Sequence, residues 1–192
     1  MKVTNTIAFA CACALAALIG ASALRADDTP PPTTTTATTT AAVQPAPVEL
    51  TQKQRQIRID RYRHRVWHWQ RVMGARVTRR LRNAPIEFTQ KVVAWKRVAV
   101  KITRRAQNPP HKGAWLCIHR YEATWTDPNP PYYGGLQMDL GFMSRYGAHL
   151  LRRKGTADHW TPLEQMWVAE RALRAGRGFY PWPNTARYCG LI

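Results

Sequence analysis

The chain is poor in acidic side chains, in cysteine and in strand pattern. Against 29 lysines and arginines stand 11 aspartates and glutamates, a formal net charge of +18. Of its 4 cysteines, Cys11 and Cys13 fall inside an apolar leader. From residue 109 onward no run alternates apolar and polar residues as a half-buried strand does, which argues against a sandwich or barrel. No glycine-rich phosphate loop occurs, and no cysteine or histidine cluster has metal-ligand spacing, so neither a cofactor nor a metal is expected. A length of 192 residues allows one ordinary domain with appendages, not two large cores.

What is present is segregated. Residues 1–26 carry Lys2, an apolar run from Ile7 to Leu24 and the small-x-small triplet Ala21-Ser22-Ala23, the pattern of a cleaved signal peptide. An uncleaved membrane anchor is the alternative, disfavoured by the alanine content and the usable cleavage site. Residues 27–50 are rich in Thr, Pro and Ala and nearly devoid of large apolar side chains, which predicts an extended linker. Cleavage removes Cys11 and Cys13 and leaves Cys117 and Cys189. Two cysteines in an exported domain favour one disulfide, worth roughly 4 kcal/mol in unfolded-chain entropy.

The charge sits in residues 51–106, which hold 17 basic and 2 acidic side chains. There Ile59, Tyr62, Val66, Trp69, Met73, Val77 and Leu81 recur at helical spacing, Asn83-Ala84-Pro85 interrupts, and Phe88, Val92, Trp95, Ala99 and Ile102 resume. The pattern predicts a basic helical hairpin, two antiparallel helices or one kinked pair, over 51–108. Three roles compete: a solvated spacer, retention on anionic envelope polymers or lipid head groups, and nucleic-acid binding. Export argues against nucleic acid, and retention is the preferred role. His64 and His68 lie one turn apart but lack a third ligand, and read as exposed surface histidines.

Residues 109–192 form the expected catalytic domain, mainly α with at most a small α+β element. Helices are predicted over Trp115–Glu122, over 138–147 ending at Gly147, and from Pro162, where Thr161 and Glu164 make a capping box. Leu163, Met166, Ala169 and Leu173 give this last helix its buried stripe, and Gly176 suits a left-handed stop. Glu122 follows Trp115 and Ile118 on one apolar stripe, a placement that desolvates a carboxyl and favours its protonated form, as a glycosidase acid requires. Tyr132-Tyr133-Gly134-Gly135-Leu136-Gln137 offers aromatic faces for sugar rings, glycines for a sharp turn or close approach, and an amide for an N-acetyl or hydroxyl group. A tight turn packed by two core aromatics would read the same way.

Trp115 and Glu122, the Tyr-Tyr-Gly-Gly-Leu-Gln run, Glu164-Gln165 before Val168-Ala169-Glu170-Arg171, Trp182-Pro183 and Cys189-Gly190 together resemble the transglycosylase-like domain of actinobacterial resuscitation-promoting factors. The resemblance spans roughly Ala114 to Gly190. It implies a compact lysozyme-like fold, peptidoglycan glycan strands as substrate, and Glu122 in the position of the catalytic glutamate. The sequence departs from that family at Leu116, where an aspartate is usual, at Tyr121-Glu122-Ala123-Thr124-Trp125, where the family has Cys-Glu-Ser-Gly-Gly, and in the proline-rich Asp127–Pro131 loop. Cys117 lies one turn before Tyr121 on the same face, so a Cys117–Cys189 bridge would tether the same two elements.

Two carboxylates ordinarily serve glycoside hydrolysis. Asp127, Asp139 and Asp158 are the other acids nearby, but Asp127 suits a loop turn and Asp139 a helix cap, and the resemblance implies that Glu122 works without a carboxylate nucleophile. The expectation is a secreted lytic transglycosylase or muramidase, with Trp125, Tyr132, Tyr133 and Gln137 positioning the glycan. The alternatives are a non-catalytic wall-binding module and a protein acting on a partner hydrolase.

Overall fold

Helix starts in this chain are fixed by side chains that satisfy otherwise unpaired amides. Thr51 Oγ1 accepts from the Gln54 amide and the Gln54 side chain accepts from the Thr51 amide, opening α1 (Gln52–Val72) with a capping box. There follow α2 (Arg80–Asn83), α3 (Phe88–Ala106), α4 (Lys112–Tyr121), α5 (Leu140–Tyr146), α6 (Ala148–Lys154), α7 (Pro162–Ala172) and α8 (Pro183–Tyr188). The computed structural model describes residues 49–192. The expected signal peptide, nearly all of the expected linker, Cys11 and Cys13 lie outside the described residues. The fold is mainly helical, as the sequence predicts, and among the described residues the strand-like pairing is a single bridge between Tyr133 and Met138. No described helix is long and apolar enough to cross a membrane.

The two basic helices pack as their stripes predict, with Ile59 and Val66 of α1 against Trp95 and Ala99 of α3. Their direction is not the predicted one. Near both starts Arg55 Nη1 donates to Thr89 Oγ1 at 3.1 Å, further along Trp67 meets Trp95 at 6.3 Å, and Val72, Met73 and Ile102 near both ends reach the main core. The helices therefore run the same way, not as an antiparallel hairpin. The reason lies in the connection from Met73 to Glu87, which is long enough to return along α1. It is pinned there by Trp67 Nε1 to the Thr78 carbonyl at 2.8 Å and by Gln70, whose amide both donates to and accepts from Thr78.

Packing is continuous across the compositional change near residue 108. Trp167 Nε1 donates to the Ala106 carbonyl at 2.7 Å and Arg174 Nη2 to the Met73 carbonyl at 2.6 Å. The helix on which everything converges is α7. Thr161, Pro162 and Glu164 start it as predicted, and Met166 and Ala169 are buried. Burial is nonetheless wider than one stripe: every residue from Glu164 to Glu170 is buried, whereas Leu163 and Leu173 are only half-buried. Gly176 adopts the expected left-handed backbone (φ 85°), within a wide turn over Leu173–Arg177. The 138–147 helix is shorter than predicted and Asp139 caps it; beyond Gly147 the chain enters α6, which had no sequence prediction.

A helix buried all round must satisfy its polar side chains internally. The Glu164 carboxylate accepts from His68 Nε2 at 2.9 Å, from Lys154 Nζ at 2.7 and 2.8 Å, and from the Thr161 amide at 2.7 Å. His68 is thus a half-buried partner joining α1 to α7, not an exposed surface histidine; His64 is exposed. Burial pushes the Glu164 pKa up, but the His68, Lys154 and Thr161 hydrogen bonds and the Lys154 charge outweigh it and hold it at about 2.

Because its folded pKa lies below the unfolded value of 4.5, Glu164 contributes stability above about pH 4.5 that is lost as pH falls towards 2. Linkage puts this contribution at about 3 kcal/mol. Denaturant unfolding at pH 6 and pH 2.5 should show Glu164→Gln less stable at pH 6 and with a pH dependence smaller by most of that amount. An unchanged pH dependence would show that Glu164 is not held as a buried carboxylate.

Candidate active site

Helix α4 carries Glu122 because its apolar face is anchored from α7. Glu170, buried on α7, accepts from the His111 amide at 2.7 Å and from Trp115 Nε1 at 2.8 Å, which fixes the first turn of α4. Trp115 and Ile118 are fully buried, and the stripe they define ends at Glu122, the residue that caps the helix. Glu122 is half-buried, and its Oε1 accepts from Thr185 Oγ1 at 2.7 Å. The same hydroxyl lies 3.3 Å from the Trp182 carbonyl, so its one proton favours the shorter contact.

Thr185 reaches Glu122 because Cys117 and Cys189 are bonded, Cα atoms 6.0 Å apart, tying α4 to the end of α8. This is the disulfide predicted from the cysteine count. The tether also places Tyr121 and Tyr188, both exposed, with ring centroids 5.7 Å apart. Thr185, Tyr121 and Tyr188 were not picked out from the sequence. Thr185 lies one turn before Cys189 and Tyr188 directly before it, so the bridge, once assumed, is the signal that finds them.

The glycine turn docks on the last turn of α4. His119, one turn before Glu122, stacks on Trp125 at 4.0 Å, and its Nδ1 donates to the Gly135 carbonyl at 3.3 Å. That bond requires the proton on Nδ1. A Cβ on Gly135 would sit 2.6 Å from His119 Nδ1 and 2.7 Å from Trp125, and one on Gly134 2.6 Å from Gln165 Oε1. The close approach that the two glycines permit is therefore to the protein's own side chains. Gly134 is left-handed (φ 71°), and Tyr133 and Met138 exchange two backbone hydrogen bonds of 3.0 Å across the turn.

Of the residues predicted to hold a glycan, Tyr132 is exposed at 49%. Trp125 is half-buried, with its carbonyl receiving Gln165 Nε2 at 2.7 Å, and Tyr133 packs against the core. The Gln137 amide donates to Asp127 Oδ2 at 2.8 Å and to the Gly134 carbonyl at 3.0 Å, which commits it to bracing the loop. Asp127 also accepts from Asn129, and Asp139 Oδ1 caps α5 by accepting from the Phe142 amide at 2.6 Å. Both acids do what the sequence predicts of them. Asp158 pairs with His159 at 3.1 Å. The hydrogen-bond partner of Glu122 is thus a hydroxyl rather than a second carboxylate.

Trp182 links this site to a neighbouring cleft. Its Nε1 donates to the Leu136 carbonyl at 2.6 Å, and its ring packs on Trp115 at 5.2 Å and on Phe142 at 5.5 Å. Phe142 lines a cleft of about 370 Å³ together with Asp139, Arg145, Tyr146 and Arg177; Glu122 is not among its walls. What the folded chain assembles is a small disulfide-tied helical unit with one half-buried carboxylate where a helix, a tight turn and the C-terminal helix meet. Set against known proteins, the chain matches no family model, no curated protein and no solved structure.

Replacing both Cys117 and Cys189 with Ser should cost about 4 kcal/mol on the unfolded-chain entropy model. Thermal unfolding with and without reductant tests it: the native chain should lose stability on reduction, and the double variant should not respond.

Proposed function

We propose that this is an exported enzyme that cuts the glycan strands of peptidoglycan, as a lytic transglycosylase or muramidase, with Glu122 as its acid and base. The observation that carries the reading is the half-buried Glu122 carboxylate, held by one hydroxyl at the end of α4. The ordered likeness of Ala114–Gly190 to the transglycosylase-like domain of resuscitation-promoting factors supports the substrate class. The disulfide accords with an oxidising compartment.

In this mechanism Thr185 fixes Oε1 and leaves Oε2 to carry the proton. Glu122 protonates the oxygen linking N-acetylmuramic acid to N-acetylglucosamine, and the substrate's own acetamido group stabilises the cationic intermediate. The ionised Glu122 then takes a proton from the sugar C6 hydroxyl, giving a 1,6-anhydro product, or from water, giving hydrolysis. The lytic route is the favoured one. Trp125 and Tyr132 are the rings offered to the glycan, and the exposed pair Tyr121 and Tyr188 adds aromatic surface at the ends of α4 and α8.

A second reading, a non-catalytic wall-binding module, is favoured by the position of the 370 Å³ cleft away from that carboxylate. Purified peptidoglycan treated with the exported chain, helices α1 and α3 included, should release fragments with 1,6-anhydro-muramyl ends by mass spectrometry. Glu122→Gln should lower release at least about a hundredfold, the usual size of a lost acid–base group. Reducing ends would make it a hydrolase; equal release by both proteins would leave binding as the function.

A further inference from the structure

Arg65 and Arg71 of α1 and Arg79 and Arg82 of the connection after it line two clefts that share a wall. Each has a volume of about 440 Å³, and Trp67 and Arg71 belong to both. His64, Arg65, His68 and Arg153 complete the first, and Val77, Arg79, Arg82 and Asn83 the second. No carboxylate lines either one. Arg65, Arg79, Arg82 and Arg153 are exposed, and none of them makes an ion pair among the described residues.

Cationic side chains crowd the α1–α6 seam beside the first cleft. His149 of α6 lies 6.2 Å from His68, ring to ring, and its Nε2 is enclosed without a hydrogen-bond partner. Burial, then Arg71, Arg153, His68 and Arg152 in turn, hold its pKa below 6.5. Burial leads these causes, and the arginines that add to it are cations that an anion beside the seam would offset. The acid at this seam, Glu164, is already shared by His68, Lys154 and Thr161.

We propose that the paired clefts form one track for a linear polyol chain linked by phosphodiesters, with successive phosphates at Arg65 and Arg153, at Arg71, and at Arg79 and Arg82. Guanidinium groups bind phosphate oxygens through forked, charge-assisted hydrogen bonds. A single phosphate would engage the arginines of only one cleft, whereas two clefts across a common wall suit a repeating anion. Nucleic acid fits less well, because the one indole in the track has the Arg63 and Arg71 guanidinium carbons 5.2 and 5.9 Å from its centroid, so a stacking base would compete with them. A bilayer also fits less well: the exposed apolar residues Ile57, Val93 and Val100 line neither cleft. The track does not involve Glu122 and goes beyond the proposed activity.

The test is calorimetric titration of the exported chain with inorganic phosphate and with poly(glycerol phosphate) at fixed ionic strength. The polymer should bind at least about tenfold more tightly per phosphate, and the pairs Arg65→Ala/Arg153→Ala and Arg79→Ala/Arg82→Ala should each weaken it about tenfold and flatten its salt dependence. Lys96→Ala/Lys101→Ala on α3 removes the same charge outside the clefts and should change affinity less than about twofold. Glu122→Gln should bind as the native chain does, which separates this inference from the glycosidase reading. Equal losses from the lysine pair, or tighter binding of a single-stranded oligonucleotide of the same charge or of anionic phospholipid vesicles, would overturn it.

Discussion

The Glu164 carboxylate accepts hydrogen bonds from α1, from α6 and from the start of its own helix, and it does so from inside the core. That arrangement is expensive to break: removing one partner strands a buried charge, at a typical cost of about 3–5 kcal/mol. Gln165, the next residue, and Glu170, nearly two turns further on, repeat the device. Gln165 holds the Trp125, Ala157 and Trp160 carbonyls, and Glu170 holds the start of α4. One buried helix thus sets the positions of α1, α3, α4 and α6 through polar groups of fixed direction. The apolar core, from Val72 of α1 to Trp182 at the start of α8, fills the space between.

The candidate site is a product of that scaffold rather than an addition to it. Glu170 fixes where α4 begins, and so where it ends. The disulfide then brings α8 to that end, and the Gly134–Gly135 turn closes on His119 because neither glycine has a Cβ. A glycosidase acid requires a carboxyl that is oriented and partly withdrawn from water, and Glu122 has both properties from elements far apart in the chain.

Charge and fold are arranged separately here. The basic helices carry the net charge outward, yet α1 and α3 also end in the main core, so charge-bearing and site-bearing parts are one packed body. The cationic clefts and Glu122 accordingly lie on one packed body.

The sequence by itself determined what depends on near neighbours along the chain. Helical periodicity predicted α1, α3 and α7, the Thr161–Glu164 capping box is read directly from residues three apart, and two remaining cysteines left one pairing. Asp127 and Asp139 were legible as turn and cap for the same local reason. Tertiary structure decided what depends on partners distant in sequence. Nothing in the stripes of α1 and α3 distinguishes parallel from antiparallel packing; the return path pinned on Gln70 and Thr78 does. Nothing local separates His68, bound to Glu164, from exposed His64, or marks Thr185 as the partner of Glu122. A side-chain hydrogen bond between residues 63 or 96 positions apart has no sequence periodicity, because its geometry exists only once the helices have packed.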